Sequence, residues 1–174
     1  MKRVVLMSVI LAAMAPAVAY DVPNGLTQDG IGNIKIGIQV ERLEVLLHDK
    51  LGYNQYENHG CSTLTTKLLE PTGLSVMIEN KVLTRINVDY VGKSEIPRTI
   101  KTDTGIGLGS SEADVLKAYP NARVKPNAAD PTWHTIFAEA PDRSKALVFE
   151  TNGQVVKSMR GGANPAVSYP NGCN

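Results

Sequence analysis

The sequence predicts an α+β protein: two similar units, each a helix followed by a three-stranded antiparallel meander, packed as one compact protein. Three observations predict it. Gly105–Pro120 (G-I-G-L-G-S-S-E-A-D-V-L-K-A-Y-P) and Gly32–Leu47 both read as a short apolar approach, a glycine and a helix. One constant offset sets Ile34 on Ile106, Ile36 on Leu108, Gly37 on Gly109, Leu43 on Val115 and Leu47 on Tyr119. Three strand-like pieces then follow each helix in the same order, as a doubled supersecondary unit would have them.

Taken in order, residues 1–19 carry Lys2 and Arg3, an apolar run V-V-L-M-S-V-I-L-A-A-M, and Ala17-Val18-Ala19 before Tyr20. This is the layout of a cleavable secretory signal. No cysteine follows the cleavage point, so no lipid anchor is expected there, and no later run is long and apolar enough for a stable membrane anchor. The expected location is the periplasm or the secreted fraction. Without Lys2 and Arg3 the 18 basic residues become 16 against 17 acidic ones. A net charge of about −1 with no basic cluster gives no electrostatic case for nucleic acid.

The first unit spans 20–91. Its helix is expected from Gln39 to Leu51, with Val40, Leu43, Leu46, Leu47 and Leu51 along one face and Gly52 as the stop. Ser62–Leu69, Gly73–Glu79 and Val82–Val91 read as strands, with Glu79-Asn80-Lys81 turning between the last two. A linker covers 92–102.

The second unit spans 103–160. Ile106 and Leu108 alternate with glycines as a strand end does, and Gly109 permits the change of direction into the helix. Ser111 followed by Asp114 has capping-box spacing, and Pro120 ends the helix. G-I-G-L-G-S-S could be weighed as a phosphate loop, but it lacks the Lys-Ser/Thr ending of a P-loop and the glycine spacing of a dinucleotide site. It reads as a turn into a helix. Trp133–Ala138, Lys145–Glu150 and Gln154–Met159 are the strands, with Asn152-Gly153 as the hairpin signal.

One unit alone would have a single helix to cover an apolar sheet face, and two packed together bury that face better. The inward candidates are Leu43, Leu46, Leu47, Leu74, Val76, Ile78, Ile86 and Val88, then Val115, Leu116, Tyr119, Ile136, Leu147, Phe149, Val155 and Met159. The tail, 161–174, is rich in glycine, proline and asparagine and is expected to be ordered only by its cysteine. Two cysteines exist, Cys61 and Cys173, and an oxidising compartment makes a disulfide between them the expectation.

The form I-x-I-G-x-x-x-E-x-L-x-x-L-L at Ile34–Leu47, followed by a meander and then repeated, resembles the beta-lactamase-inhibitor-protein type of fold, also found in small envelope-assembly lipoproteins. The resemblance implies a class only: noncatalytic exported modules that bind other proteins. This chain departs from it in having no lipid-anchor cysteine, one bridge between the halves in place of one inside each repeat, and few aromatics. No functional residue carries over by position.

Catalysis requires a nucleophile, a base in reach and a group to orient the base. His48, His59 and His134 are the histidines; His48 lies four residues after Glu44, and His134 stands beside Trp133. No G-x-S-x-G elbow exists, and no spacing pairs Asp89, Asp103, Glu139 or Asp142 as acid and base. No catalytic residue, metal ligand set or cofactor is therefore expected; His59-Gly60-Cys61 has no second ligand pair. Binding candidates are Tyr53 and Tyr56, in G-Y-N-Q-Y-E-N-H-G, and Trp133, the single tryptophan. Tyrosine gives contact area at low entropy cost. The expected function is a noncatalytic module that binds another envelope or secreted protein, with inhibition as one form of action. The alternative is a small-ligand or cell-wall-fragment binder that uses Trp133 in a cleft.

Overall fold

Residues 25–90 and 100–173 are described by the computed structural model. The leader expected over 1–19 and residues 92–99 of the expected linker lie outside the described residues. β1 (Leu26–Thr27), β2 (Gly30–Ile31) and β3 (Ile34–Lys35) form a small antiparallel sheet. They lead into α1 (Val40–Leu47), β4 (Cys61–Leu64), β5 (Leu74–Glu79) and β6 (Val82–Val88). The second half supplies α2 (Glu112–Ala118), β7 (Arg123–Pro126), β8 (His134–Glu139), β9 (Lys145–Thr151) and β10 (Val156–Ala163). Strands β4 to β10 make one seven-stranded antiparallel sheet in the order β4-β5-β6-β10-β9-β8-β7. The α+β class is as the sequence predicts.

Several expected boundaries move, each for a local reason. Strand β7 forms between the helix end at Pro120 and the strand expected from Trp133, so the second half has four strands where three were expected. Pro126 is tolerated because β7 is the outermost strand and lacks a neighbour on one side. Helix α1 stops at Leu47, short of Leu51, because His48 turns left-handed at φ 50° and donates its N–H back to Glu44 and Val45. Glu44 then pairs with Lys50 at 2.6 Å and accepts the Leu51 N–H at 3.1 Å, and does not pair with His48. Leu116 faces solvent, Val115 being the buried side chain of the seven-residue α2.

The expected inward Val155 is replaced by Val156, and a β-bulge is the reason. Between the pairs Val156↔Thr151 and Ser158↔Glu150, Lys157 is an extra residue on β10. The bulge lets Val156 and Met159 both point into the core despite their odd separation. On β6 Thr84 is the extra residue, between Ile78↔Leu83 and Met77↔Arg85, and Leu83 and Ile86 are both buried.

Both helix starts are tied to the last strand of their own half. Gly37 N–H donates to Leu83 O, Leu83 N–H to Ile38 O and Val40 N–H to Lys81 O, at 2.8–2.9 Å. Gly109 N–H donates to Val156 O, Val156 N–H to Ser110 O and Glu112 N–H to Gln154 O, all at 2.9 Å. Two of these bonds, from Val40 and Glu112, absorb first-turn N–H groups that a helix start leaves without internal partners. Ser111 completes the second cap by accepting from the Asp114 N–H at 3.1 Å, as its spacing predicts. The tightest hairpin turn is Asn80-Lys81, both at positive φ as a two-residue primed turn demands. Asn152-Gly153 sits in a longer turn.

The helices and the small sheet cover one face of the large sheet. There Leu43, Leu47 and Val115 pack with Leu26, Ile31 and Ile34 over Val76, Ile86, Val88, Phe149, Met159 and Ile136. The halves join where β6 pairs with β10, through Met159↔Val88, Arg160↔Asn87, Gly161↔Ile86 and Gly162↔Arg85. At this seam backbone comes too close for a side chain. A Cβ on Gly161 would stand 2.3 Å from Thr27 O, and one on Gly162 2.4 Å from Thr84 O.

The opposite face is partly covered by the tail, which is held by more than its cysteine. Val167 is buried with Phe137, Ala146 and Val148 in a second small core. Arg85 Nη1 donates to Tyr169 O at 2.7 Å and Ala166 O at 3.3 Å, and Arg160 Nε donates to Val167 O at 2.7 Å. The Cys61–Cys173 disulfide, with Cα atoms 5.5 Å apart, then closes a separation of 112 residues. On the chain-entropy model a loop this long contributes about 4 to 5 kcal/mol.

Two measurements check this arrangement. Gly162→Ala should lower unfolding free energy by about 2 kcal/mol or more in urea titration, since only backbone could give way. The double variant Cys61→Ser, Cys173→Ser should lose about 2–5 kcal/mol, yet keep its near-UV circular dichroism at low urea because the two arginines still bind the tail.

Candidate functional site

Tyr53 and Tyr56 belong to one ordered loop but play different parts. The Tyr53 hydroxyl donates to Gly60 O at 2.8 Å and accepts the Lys81 N–H at 3.1 Å, so this half-buried side chain pins the loop to the β5–β6 turn. Asn54 shapes the tip, accepting the Tyr56 N–H at 3.1 Å and donating to Glu57 at 2.9 Å. Tyr56 is left 86% exposed. Together they border a groove of about 340 Å³ against Val40, Glu41 and Glu44 of α1.

Trp133 lies elsewhere, on the helix-free face of the large sheet. The β7–β8 connection is fixed by Asn127, whose side chain accepts the Ala129 N–H at 2.8 Å, and by Asp130, which accepts the Thr132 N–H at 3.0 Å and hydroxyl at 2.6 Å. Asn127 N–H donates to Trp133 O at 2.8 Å, which sets the indole, 37% exposed, at the edge of a cavity of about 400 Å³. Arg85, Asn87 and Asp89 from β6 and its end, Glu150 from β9, Lys157, Ser158 and Arg160 from β10, and Asn171 from the tail also line it.

These polar residues form one face because of strand alternation. Arg85, Asn87 and Asp89 take every second place on β6, opposite Ile86 and Val88. Ser158 and Arg160 do the same on β10. Arg85 and Arg160 are 7% and 4% exposed. Arg160 Nη1 meets Glu150 at 2.9 Å, and Arg85 Nε donates to Asn87. Burial, then the charge of Arg160, pulls the Arg85 guanidinium down to about 10. Asp89 is open to the cavity, yet the surrounding protein removes enough water to raise its carboxyl above the usual range, against the pull of Arg85 and Arg160. Only Asp89 was singled out in the sequence, as a strand-end carboxylate. The period of two in R-I-N-V-D was the signal for the rest.

A third cluster contains His134. Its Nδ1 stands 2.8 and 3.0 Å from the Glu112 carboxylate oxygens, and the Thr151 hydroxyl donates to the same carboxylate. An imidazole is thereby oriented, but the hydroxyl is engaged by the acid and not by the base. The G-I-G-L-G-S-S turn spends its amides internally: Ile106 N–H on Thr102 Oγ1, Gly107 N–H on Ser110 Oγ and Gly109 N–H on Val156 O. Cys61 is in the disulfide and His59 lies in a left-handed turn. Among the described residues no three His, Cys, Asp or Glu side chains gather as a metal ligand set.

The raised Asp89 carboxyl has a measurable sign. A folded-state value above the unfolded one means that ionised Asp89 opposes folding above the folded value, and that the penalty disappears below the unfolded value. Asp89→Asn should therefore raise the urea midpoint at about pH 7, and the difference from wild type should shrink as the pH falls to about 4. Compared with known proteins, the chain matches no family model, no curated protein and no solved structure.

Proposed function

We propose that this chain is an exported, noncatalytic binding protein made of two copies of one helix-plus-meander unit, and that it captures another envelope or secreted protein. The observation that carries the binding role is Tyr56, almost wholly exposed on a loop that seven hydrogen-bonded residues hold in place. An aromatic presented on a pre-ordered loop loses little entropy on contact, which favours recognition of a protein surface. Inhibition of the captured protein is one form the action takes, in keeping with the class implied by the inhibitor-like pattern at Ile34–Leu47.

The doubled unit is supported by features that recur at two adjacent offsets, 72 residues for the helix starts (Val40 to Glu112) and 73 for the last strands (Leu83 to Val156). The bulges at Thr84 and Lys157 correspond, and so do the three bonds from each helix start to the last strand. Export is supported by the leader layout of 1–19 and by the disulfide, which oxidising compartments preserve. Among the described residues no helix is long and apolar enough to cross a membrane.

A second reading, a small-ligand binder, is favoured by Trp133 at the rim of the polar cavity. The two use different surfaces.

A pull-down from envelope extract tests the first. Tyr56→Ala should weaken capture of a single partner by about tenfold or more without changing the melting temperature. Tyr53→Ala should lower the melting temperature, because it removes the loop's support. Equal capture by wild type and Tyr56→Ala would end the proposal.

A further inference from the structure

The cavity beside Trp133 contains more positive charge than the fold uses. Arg85 spends Nε on Asn87 and Nη1 on the tail carbonyls; Arg160 spends Nε on Val167 O and Nη1 on Glu150. Among the described residues, the Nη2 amino group of each has no hydrogen-bond partner. Among the described residues no fully buried side-chain nitrogen or oxygen lacks a partner, so these two groups keep some exposed surface, and both residues line this opening. Lys157 adds a third cation, its Nζ 5.9 Å from the Tyr90 ring. Three cations thus face two carboxylates, and one of these, Glu150, is already paired with Arg160. Two guanidinium groups this deeply buried cannot turn away to find other partners, and planar guanidinium is the group best shaped to hold a carboxylate.

The rest of the lining selects what should carry that carboxylate. Asn87, Asn127, Asn171, Asp89 and Ser158 are hydrogen-bonding groups suited to hydroxyls, and Trp133 offers a flat face for a ring. The volume of about 400 Å³ lies in the range of small-molecule pockets. We infer that this cavity binds an acidic sugar, its carboxylate on the Nη2 groups of Arg85 and Arg160, its hydroxyls on the amides and its ring against Trp133. The inference rests on the second of the two readings above and is independent of the Tyr56 loop.

Trp133 is the sole tryptophan, so its fluorescence reports on this site alone. The full chain would be titrated with sodium D-glucuronate, D-glucose and sodium sulfate at matched ionic strength. Glucuronate should give a saturable change, and glucose and sulfate should each need at least about tenfold higher concentration. Asp89→Asn should tighten glucuronate binding about threefold by removing a like charge, and Lys157→Glu should weaken it about tenfold. Both substitutions leave the tail contacts of Arg85 and Arg160 in place, so neither depends on a variant that must survive loss of those contacts. Glucose binding as tightly as glucuronate overturns the acid while leaving a small-ligand site. Sulfate matching glucuronate overturns the sugar. No change with any of the three overturns the inference and the small-ligand reading together, whatever the pull-down shows.

Discussion

The pairing of β6 with β10 is the constraint on which the rest of the molecule depends. Among the described residues it is the one strand pairing that joins two short meanders into a single seven-stranded sheet, and it places their apolar faces side by side under one roof of helices and small strands. The same pairing sets Asn87 beside Arg160 and Arg85 beside Gly162 on the other face. Core and polar cavity are thus two sides of one ladder. The glycines at the seam belong to this logic: they let Thr27 and the bulged backbone at Thr84 approach the strands at distances that any Cβ would block.

Burying two arginines is expensive unless each donor finds an acceptor. The tail supplies much of that demand with backbone carbonyls, which bring no charge of their own. The tail therefore has two roles, as cover for Val148 and Phe137 and as hydrogen-bond partner for the guanidinium groups. Reduction of the Cys61–Cys173 bridge alone leaves both roles intact in the bonding pattern.

What was legible in the sequence were patterns with a period. The α+β class, the cap at Ser111, most inward residues of β5, β8 and β9, and the cysteine pair follow from spacing and composition. What was not legible depended on partners distant in the chain. Bulges at Thr84 and Lys157 shift inward positions by one, which no propensity of threonine or lysine announces, so Val155 was expected where Val156 is buried. Helix α1 ended early because His48 turned left-handed, with Glu44 then bonding Lys50 and Leu51, a stop that the apolar face could not reveal. Tyr53 and Tyr56 look alike in composition, and only the distance to Gly60 O separates a strut from an exposed ring. The anchors of the tail are not visible in the sequence because its ligands are carbonyls, present in every sequence, and their donors lie on strands in both halves.

The seam also sets an order of events as the chain is made. Residues that pair across it lie more than 70 positions apart, as Asn87 and Arg160 do. Until the last strand emerges, the first half has β6 as an unpaired edge and Arg85 without its carbonyls. A nascent chain of this design passes through a stage in which it is sticky along one strand and charged along the adjoining face, and it leaves that stage only when nearly its whole length is available. Speed of completion, rather than strength of any local element, then governs how much of the chain reaches the native sheet before β6 finds a partner from another molecule.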